Sequence, residues 1–362
     1  MSTVHVQLKG NSYKILIGSG IIRQLPSAIA ALKIGHDAVI ITDLTVARVH
    51  GRRVEALLKS KGFSVKICAV PAGEKSKSAS VAVGLIEQIA KYDVDKKIFV
   101  IALGGGVVGD LAGFVAAVYK RGIPYIQIPT TLLAQIDSAI GGKVAIDLSV
   151  GKNLAGAFYQ PRLVLSDVDF LTTLDKRQIR NGLAEAVKYG VIIDEKLFAY
   201  LEKNYAKFLS LNRTVLSKVV VDCSRIKADV VSKDEKETRG LRMILNFGHT
   251  LGHAVENAGQ YGRYHHGEAV ALGMRMAAFI STRRGIFSLE DNRRVNGLLS
   301  KIGLPEVIEG VSHAKILNAM RHDKKFVAGK NRFVLAHRIG KVSVVTGIPL
   351  PQIQEAITAY SG

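Results

Sequence analysis

Six consecutive apolar residues, Ile98-Phe99-Val100-Ile101-Ala102-Leu103, run directly into three glycines, Gly104-Gly105-Gly106. A run that short and that apolar reads as a strand buried on both faces, the kind found in parallel sheets covered by helices. Similar segments surround it. Val4, Val6 and Leu8 alternate with polar residues, and Tyr13 to Ile17 follows as a partner strand. Ala38 to Thr42 is apolar and ends at Asp43, Phe63, Val65, Ile67 and Ala69 alternate, and Tyr125 to Ile128 is closed by Pro129. Helical spacing fills stretches between them, as from Val81 to Ala90. Strands separated by helices predict the α/β class.

The texture changes after Thr173. Helical periodicity dominates from Lys176 to about Met320, and Asn331 to Val345 reads as a late β-hairpin or two short strands. The expected architecture is a Rossmann-like parallel-sheet domain over residues 1–174 and a mainly α-helical domain over 175–362. The cleft between them is the expected active site.

A chain of 362 residues is long enough for two cores. Its formal charge of +20, from 50 Lys and Arg against 30 Asp and Glu, suits anionic ligands. The basic residues are dispersed and form no nucleic-acid module, so no nucleic-acid partner is expected. Small anionic substrates remain. Two cysteines, Cys68 and Cys223, suggest no disulfide framework. The first residues lack a signal-type apolar stretch, and no apolar run approaches membrane-spanning length, so a cytoplasmic protein without a membrane partner is expected.

A buried strand, a glycine turn and a helix present free backbone N–H groups to a pyrophosphate. The same glycines could equally serve tight packing. Their position near residue 105, outside the first strand–helix unit, argues against the usual dehydrogenase arrangement. Asp43 can bond ribose hydroxyls or cap a helix. Gly73-Glu74-Lys75 can meet a nucleotide or form an ordinary turn, and Thr130-Thr131 can bond phosphate or cap the next helix.

Two Gly-Lys steps, Gly142-Lys143 and Gly151-Lys152, lie in one loop with Asp137 and Asn153. Lysines beside glycines reach anions that the backbone already approaches. Arg121, before Gly122, is a further anion-binding candidate. Downstream, His249 and His253 stand four residues apart with Gly248 and Gly252 interleaved, and His265-His266-Gly267-Glu268 follows. On a helix the first two rings share a face. Upstream lie Glu185 and Lys188. One carboxylate with two imidazoles suits Zn²⁺ or a similar divalent ion with an open position, and we expect a metal here. Spacing leaves open which histidine is ligand and which is acid/base.

Taken together, these motifs resemble the 3-dehydroquinate synthase family. The order of the glycine turn, the Asp137 to Asn153 loop, Gly156-Ala157-Phe158-Tyr159-Gln160-Pro161, Gly182 to Gly190, Leu245 to His253 and His266-Gly267-Glu268 is that of the family, over roughly residues 10 to 345. The resemblance implies NAD and a divalent metal (Zn or Co) as cofactors, and a homodimer. It implies Glu185, His249 and His266 as metal ligands, and His253 in acid/base work. Arg121, Asp137, Lys143, Lys152, Asn153, Lys188, Lys227, Arg242, Asn246, His253 and one of Lys324 and Lys325, Lys324 by preference, match substrate-binding positions. Of these, His253, Lys143, Lys188, Asn246 and Arg242 match the catalytic set. Asp43, Gly73, Glu74, Lys75, Ser76, Lys77, Gly105, Gly106, Val107, Val108, Gly109, Asp110, Thr130, Thr131, Lys143, Lys152, Phe170, Leu171, Thr172 and Thr173 match the nucleotide site. The chain departs from the family at Ala139, Val144 and Asp147, where Ser, Thr and Asn are common. The implied reaction converts the sugar phosphate DAHP to 3-dehydroquinate and phosphate by transient oxidation, phosphate elimination, re-reduction and intramolecular aldol closure.

Overall fold

The computed structural model describes residues 1–260, 262–321 and 331–362. They form two compact units, Met1–Leu174 with Leu216–Lys236, and Asp175–Val215 with Glu237–Gly362.

The first unit carries strands β1 (Ser2–Val6), β2 (Tyr13–Gly18), β3 (Asp37–Asp43), β4 (Ser64–Val70), β5 (Ile98–Gly104), β6 (Tyr125–Pro129), β7 (Lys143–Leu148), β8 (Gly151–Phe158) and β9 (Leu163–Asp167). Its helices are α1 (Leu25–Leu32), α2 (Leu44–Val46), α3 (Arg52–Lys59), α4 (Ala79–Tyr92) and α5 (Gly106–Val118). Seven strands form one sheet in the order β1-β2-β9-β6-β5-β3-β4. Every neighbouring pair is parallel except β1 with β2. All of β5 is buried, which explains its unbroken apolar run. Val39, Ile41, Val100 and Ala102 pack into one core cluster, and Ala38, Ile40, Phe99 and Ile101 into another on the opposite face. The period-2 geometry of a strand makes that division.

The chain steps from β3 to β4 on one side, then returns to place β5 on the other flank of β3. The order therefore reverses between β3 and β5, and ligands of open α/β sheets bind outside the carboxyl ends of strands at such a point. Those ends carry Asp43 and the Gly104–Gly106 turn.

Two features differ from the sequence reading. The Lys143 to Asn153 segment, read as a loop, is a β7–β8 antiparallel hairpin. Leu163–Asp167 adds a strand, β9, that the reading did not name.

The second unit begins with α6 (Lys176–Ile192) and α7 (Glu195–Leu209), and α8 (Arg213–Lys233) follows. From Leu216 onward α8 groups with the first unit, unlike the single division at residue 174 that the sequence suggests. Polar ties explain this. Lys227 Nζ donates to Asp137 Oδ1 at 2.7 Å, Ser224 Oγ to the Gln135 carbonyl at 3.4 Å, and the Gln7 N–H to Ser232 Oγ at 3.0 Å.

The rest of the second unit comprises α9 (His249–Ala258), α10 (His266–Arg283), α11 (Leu289–Ile302), α12 (His313–Arg321), the hairpin β10 (Arg332–Arg338) and β11 (Lys341–Thr346), and α13 (Leu350–Ala359). The hairpin expected between Asn331 and Val345 is present. Helix α6 is buried continuously from Asn181 to Ile192. A helix covered on all sides belongs to a core, so the polar residues it carries need partners there. Among the described residues no helix is long and apolar enough to cross a membrane.

Candidate metal centre and nucleotide turn

In the second unit, the charged residues buried on α6 are Glu185 and Lys188, at 0% and 2% exposure. One turn apart, they share a helix face and form a buried ion pair through Glu185 Oε2. Two further helices bring imidazoles to the other carboxylate oxygen. Helix α9 opens at His249, after Gly248 in a left-handed conformation with φ 78°. Helices α9 and α10 then cross almost backbone to backbone. A Cβ on Gly252 would lie 2.9 Å from the Ala269 carbonyl oxygen, and one on Gly273 would lie 1.9 Å from that of Gly248. Only glycine permits that approach, so the glycines interleaved with the histidines set the distance between the rings.

His249 Nε2 lies 3.4 Å from Glu185 Oε1, and His266 Nε2 lies 3.1 Å from it. The three donor atoms are all within 4.8 Å of one another. A tetrahedral ion with bonds of about 2.0–2.2 Å separates its ligands by about 3.4 Å. The tautomer of His249 gives a second test of fit. Its Nδ1 is 3.1 Å from the Phe247 carbonyl oxygen, which can only accept, so Nδ1 carries the hydrogen. Nε2 then points a lone pair at a carboxylate oxygen. Two acceptors facing each other in a buried site call for a cation between them.

The protonation states agree. Burial pushes the Glu185 carboxyl upward, but Lys188 and His249 more than offset it and hold it well below the usual range. Burial pulls His249 down, so its ring is neutral. Burial also opposes charge on His266, yet Glu185 and Glu256 outweigh it and raise the ring to about 10. A proton there occupies the position that a divalent ion would take.

Of the histidines left open by spacing, His265 is turned away. Its Nδ1 meets Gln178 Nε2 at 3.2 Å, and its N–H donates to Glu268 Oε2 at 2.9 Å. Glu268 thus caps the start of α10 and is clamped by Arg177 Nε and Nη2 at 2.6 and 2.8 Å. The glycine between them is needed because the Gly267 N–H donates to Asn181 Oδ1 and a Cβ would lie 2.0 Å from the Asn181 carbonyl oxygen. His253 is half-buried, its ring centroid 5.2 Å from that of His249 and 5.9 Å from that of His266. Asn246 ends the short 3-10 turn Leu241–Asn246 just before Phe247. Arg242, in the same turn, is buried, with Nε 3.3 Å from Glu237 Oε1. Sequence reasoning missed Glu237 and Glu256. Glu256 was findable, because it follows His249 by seven residues and His253 by three, on one helical stripe.

In the first unit, the strand–turn–helix at β5 and α5 is present, and the N-cap Gly105 contributes no side chain to the first-turn N–H groups. None of Gly104, Gly105 and Gly106 has a positive φ. Their role is close approach: a Cβ on Gly105 would lie 2.9 Å from Thr131 Cγ2, and one on Gly106 3.0 Å from Ser138 Oγ. Gly109 faces Gln127 in the same way, at 2.8 Å. The glycines thus let Thr131, Ser138 and Gln127 pack close to the turn, and the first N–H groups of α5 have no side-chain cap from Gly105.

Lys77, 4% exposed, ties three predicted segments together. Its Nζ donates to Asp110 Oδ2 on α5 at 2.6 Å and to Asn153 Oδ1 on β8. Burial pushes the Asp110 carboxyl up to about 6 although Lys77 pulls the other way. Asn153 adopts φ 56° and its N–H donates to Asp147 Oδ1 at 2.8 Å. Lys152 Nζ stands 4.0 Å from Glu74 Oε1. The Asp137 carboxylate meets Lys227, a pairing between distant segments. Lys143 and Arg121 are exposed, the latter at φ 63°.

Other predicted positions have structural duties. Asp43 Oδ1 caps α2 at the Thr45 and Val46 N–H groups, at 2.8 and 2.9 Å. Thr131 Oγ1 caps Ala134, and Thr130 is buried. Phe170 and Leu171 lie in the core, and the hydroxyls of Thr172 and Thr173 bond the Asp169 and Phe170 carbonyls. Ala139 and Val144 are also buried, and Val144 packs where a Cβ on Gly113 would lie 2.3 Å from it. These two departures from the family pattern therefore sit in packing. Lys324 lies outside the described residues.

The fold is that of the sugar-phosphate cyclases. A solved 2-deoxy-scyllo-inosose synthase, complexed with carbaglucose-6-phosphate, NAD⁺ and Co²⁺, is similar at TM-score 0.91 and 28% identity, over 99% of this chain and 100% of that one. The valiolone synthase ValA from Streptomyces hygroscopicus subsp. jinggangensis, with NAD⁺ and Zn²⁺ bound, is similar at TM-score 0.89 and 27% identity, over 98% of each. Sequence comparison is more specific. Residues 67–181 match the 3-dehydroquinate synthase N-terminal family and residues 182–326 the C-terminal one. A 3-dehydroquinate synthase of Desulforamulus reducens is 49% identical over 345 residues, covering 95% of this chain and 96% of that protein. The chain belongs to the 3-dehydroquinate synthase family.

Proposed function

We propose that this chain converts DAHP to 3-dehydroquinate and phosphate, using NAD catalytically and one divalent cation, Zn²⁺ or Co²⁺. The observation that carries the reading is the buried set Glu185, His249 and His266, in a chain nearly half identical to a 3-dehydroquinate synthase. Those three side chains would hold the cation. The Gly104–Asp110 turn, Gly73 to Lys77, Asp43, Thr130, Thr131 and Phe170 to Thr173 would hold the dinucleotide.

When bound, the cation supplies Lewis acidity at a substrate hydroxyl and NAD takes and returns a hydride. The chain's own residues do the rest. His253 holds the hydroxyl proton and returns it, a task suited to an imidazole beside the donor cluster. Lys188 balances charge on the carboxylate side and meets a substrate oxygen. Asp137, paired with Lys227, orients hydroxyls, and Asn153, held by Lys77, does the same from the hairpin. Arg242 and Asn246 add donors for a carboxylate. Lys143, Lys152 and Arg121 meet anionic groups of substrate and cofactor. Phosphate departs with the neighbouring C–H proton, so the site needs no separate base for that step. The residues then only need to hold the open-chain product in a conformation that closes the ring.

The inosose- and valiolone-forming neighbours make a second reading concrete: the same machinery acting on another sugar phosphate. An assay of phosphate release with DAHP, glucose 6-phosphate and sedoheptulose 7-phosphate, each with substoichiometric NAD, separates them. DAHP alone should release phosphate, without steady NADH build-up, and chelation should stop it until metal is restored. Turnover of another substrate with none of DAHP would overturn the proposal. A homodimer is the accompanying expectation, checked by light scattering of the purified chain, and a cytoplasmic location, checked by cell fractionation.

A further inference from the structure

We propose that Glu256 is a positioning residue for His266, fixing that ring as a cation ligand through its far nitrogen. The inference rests on the reading of Glu185, His249 and His266 as the cation site. His266 occupies the first position of α10 and offers two nitrogens to two carboxylates. Nε2 faces Glu185 Oε1 at 3.1 Å, while Nδ1 faces Glu256 Oε2 at 3.6 Å. The second contact stands a few tenths of an ångström outside hydrogen-bond range and needs only a small ring rotation to close. The Glu256 side chain is 13% exposed. A carboxylate so covered calls for a charged or donating neighbour.

An imidazole with one nitrogen on a cation must carry its hydrogen on the other. A carboxylate there holds that hydrogen, locks the tautomer, restrains rotation and makes the ligating nitrogen more basic. His249 obtains the same service from the Phe247 carbonyl at 3.1 Å. The two rings thus have unlike supports, a neutral carbonyl for one and an anion for the other. His249, His253 and Glu256 share a stripe of α9, so this helix delivers one candidate ligand, one candidate acid/base group and the support of a ligand on the next helix.

The test measures cation binding rather than turnover. Metal-free protein is titrated with Co²⁺, followed by its visible absorption, and with Zn²⁺ in competition with a chromophoric chelator. E256A should weaken binding about 10- to 100-fold and change the Co²⁺ spectrum, as expected for loss of a ligand's outer partner. E256Q keeps the shape and an acceptor oxygen without the charge, and should lose less, about three- to tenfold. NAD affinity and the circular dichroism of the metal-free variants should match the parent. Parental affinity and spectrum in both variants, or in E256Q if E256A fails to fold, would overturn the proposal. H249A separates the underlying reading: if that variant binds Co²⁺ as the parent does, the cation site itself has been misplaced.

Discussion

On the proposed assignment, the cation cluster of the second unit and the nucleotide turn of the first solve their binding problems with different parts of the chain. At the cluster the ligating atoms belong to side chains, and the glycines matter because they bring α9 and α10 close enough for His249 and His266 to face one oxygen of Glu185. At the turn the binding atoms would be backbone N–H groups at the start of α5, and the glycines let neighbouring side chains such as Thr131 and Ser138 pack close to it. The first kind of site is specified by identity, and one replacement removes a donor outright. The second is specified by shape, and replacement intrudes without deleting any donor.

Ligand variants should break this contrast most sharply. E185Q or H249A removes a donor or its charge, and should abolish tight cation binding and lower turnover roughly a thousandfold, since a Lewis acid contributes several kcal/mol. Metal analysis of the purified variants beside the phosphate-release assay checks it; NAD affinity should be unchanged. Wild-type turnover in either would dissolve the distinction.

Acidity comes next. With the His266 ring raised to about 10 in the metal-free protein, a proton competes with the cation at neutral pH. Binding must expel it, so affinity should rise with pH, about tenfold per unit, and level off only near the ring's own titration. Calorimetry in buffers of different ionisation enthalpy should register about one proton released per Zn²⁺ at pH 7.5. No release there would mean that the ring is already neutral.

The turn should answer more mildly. G105A places a methyl group 2.9 Å from Thr131 Cγ2, and overpacking of about 1–3 kcal/mol should weaken NAD binding about tenfold, measured by nicotinamide fluorescence in NADH titrations. Zn²⁺ affinity should not move. The smallest effect belongs to R177A, which releases the Glu268 cap of α10. Arg177 is half exposed, so the melting free energy should fall by less than about 1 kcal/mol, and Zn²⁺ binding should stay within twofold. A large loss of Zn²⁺ binding would show that the cap, and not the glycine crossing, places His266.

The same contrast explains what could be read in advance. The buried strands announced themselves because a two-sided core demands unbroken apolar runs, as in β5. The cluster was legible as residue types and helical spacing. The β7–β8 hairpin was not: Gly151-Lys152-Asn153-Leu154-Ala155-Gly156-Ala157-Phe158 has no alternation, and its strand character comes from pairing across to Lys143–Leu148. The grouping of α8 depends on partners some 90 residues away, Asp137 and Gln135, which no local pattern reveals. Glu256 escaped for a related reason. Its stripe is visible, but its partner arrives from the next helix after a turn.

The contact of α9 and α10 through Gly252 and Gly273 has one more consequence. With main chain resting on main chain, no side chain stands between the two helices to give way, so α9 and α10 should hold His249 and His266 in place with or without an ion. Stripping the metal should therefore leave a vacant but intact socket. Recharging it becomes a simple bimolecular encounter, complete on mixing and needing no passage through an unfolded chain.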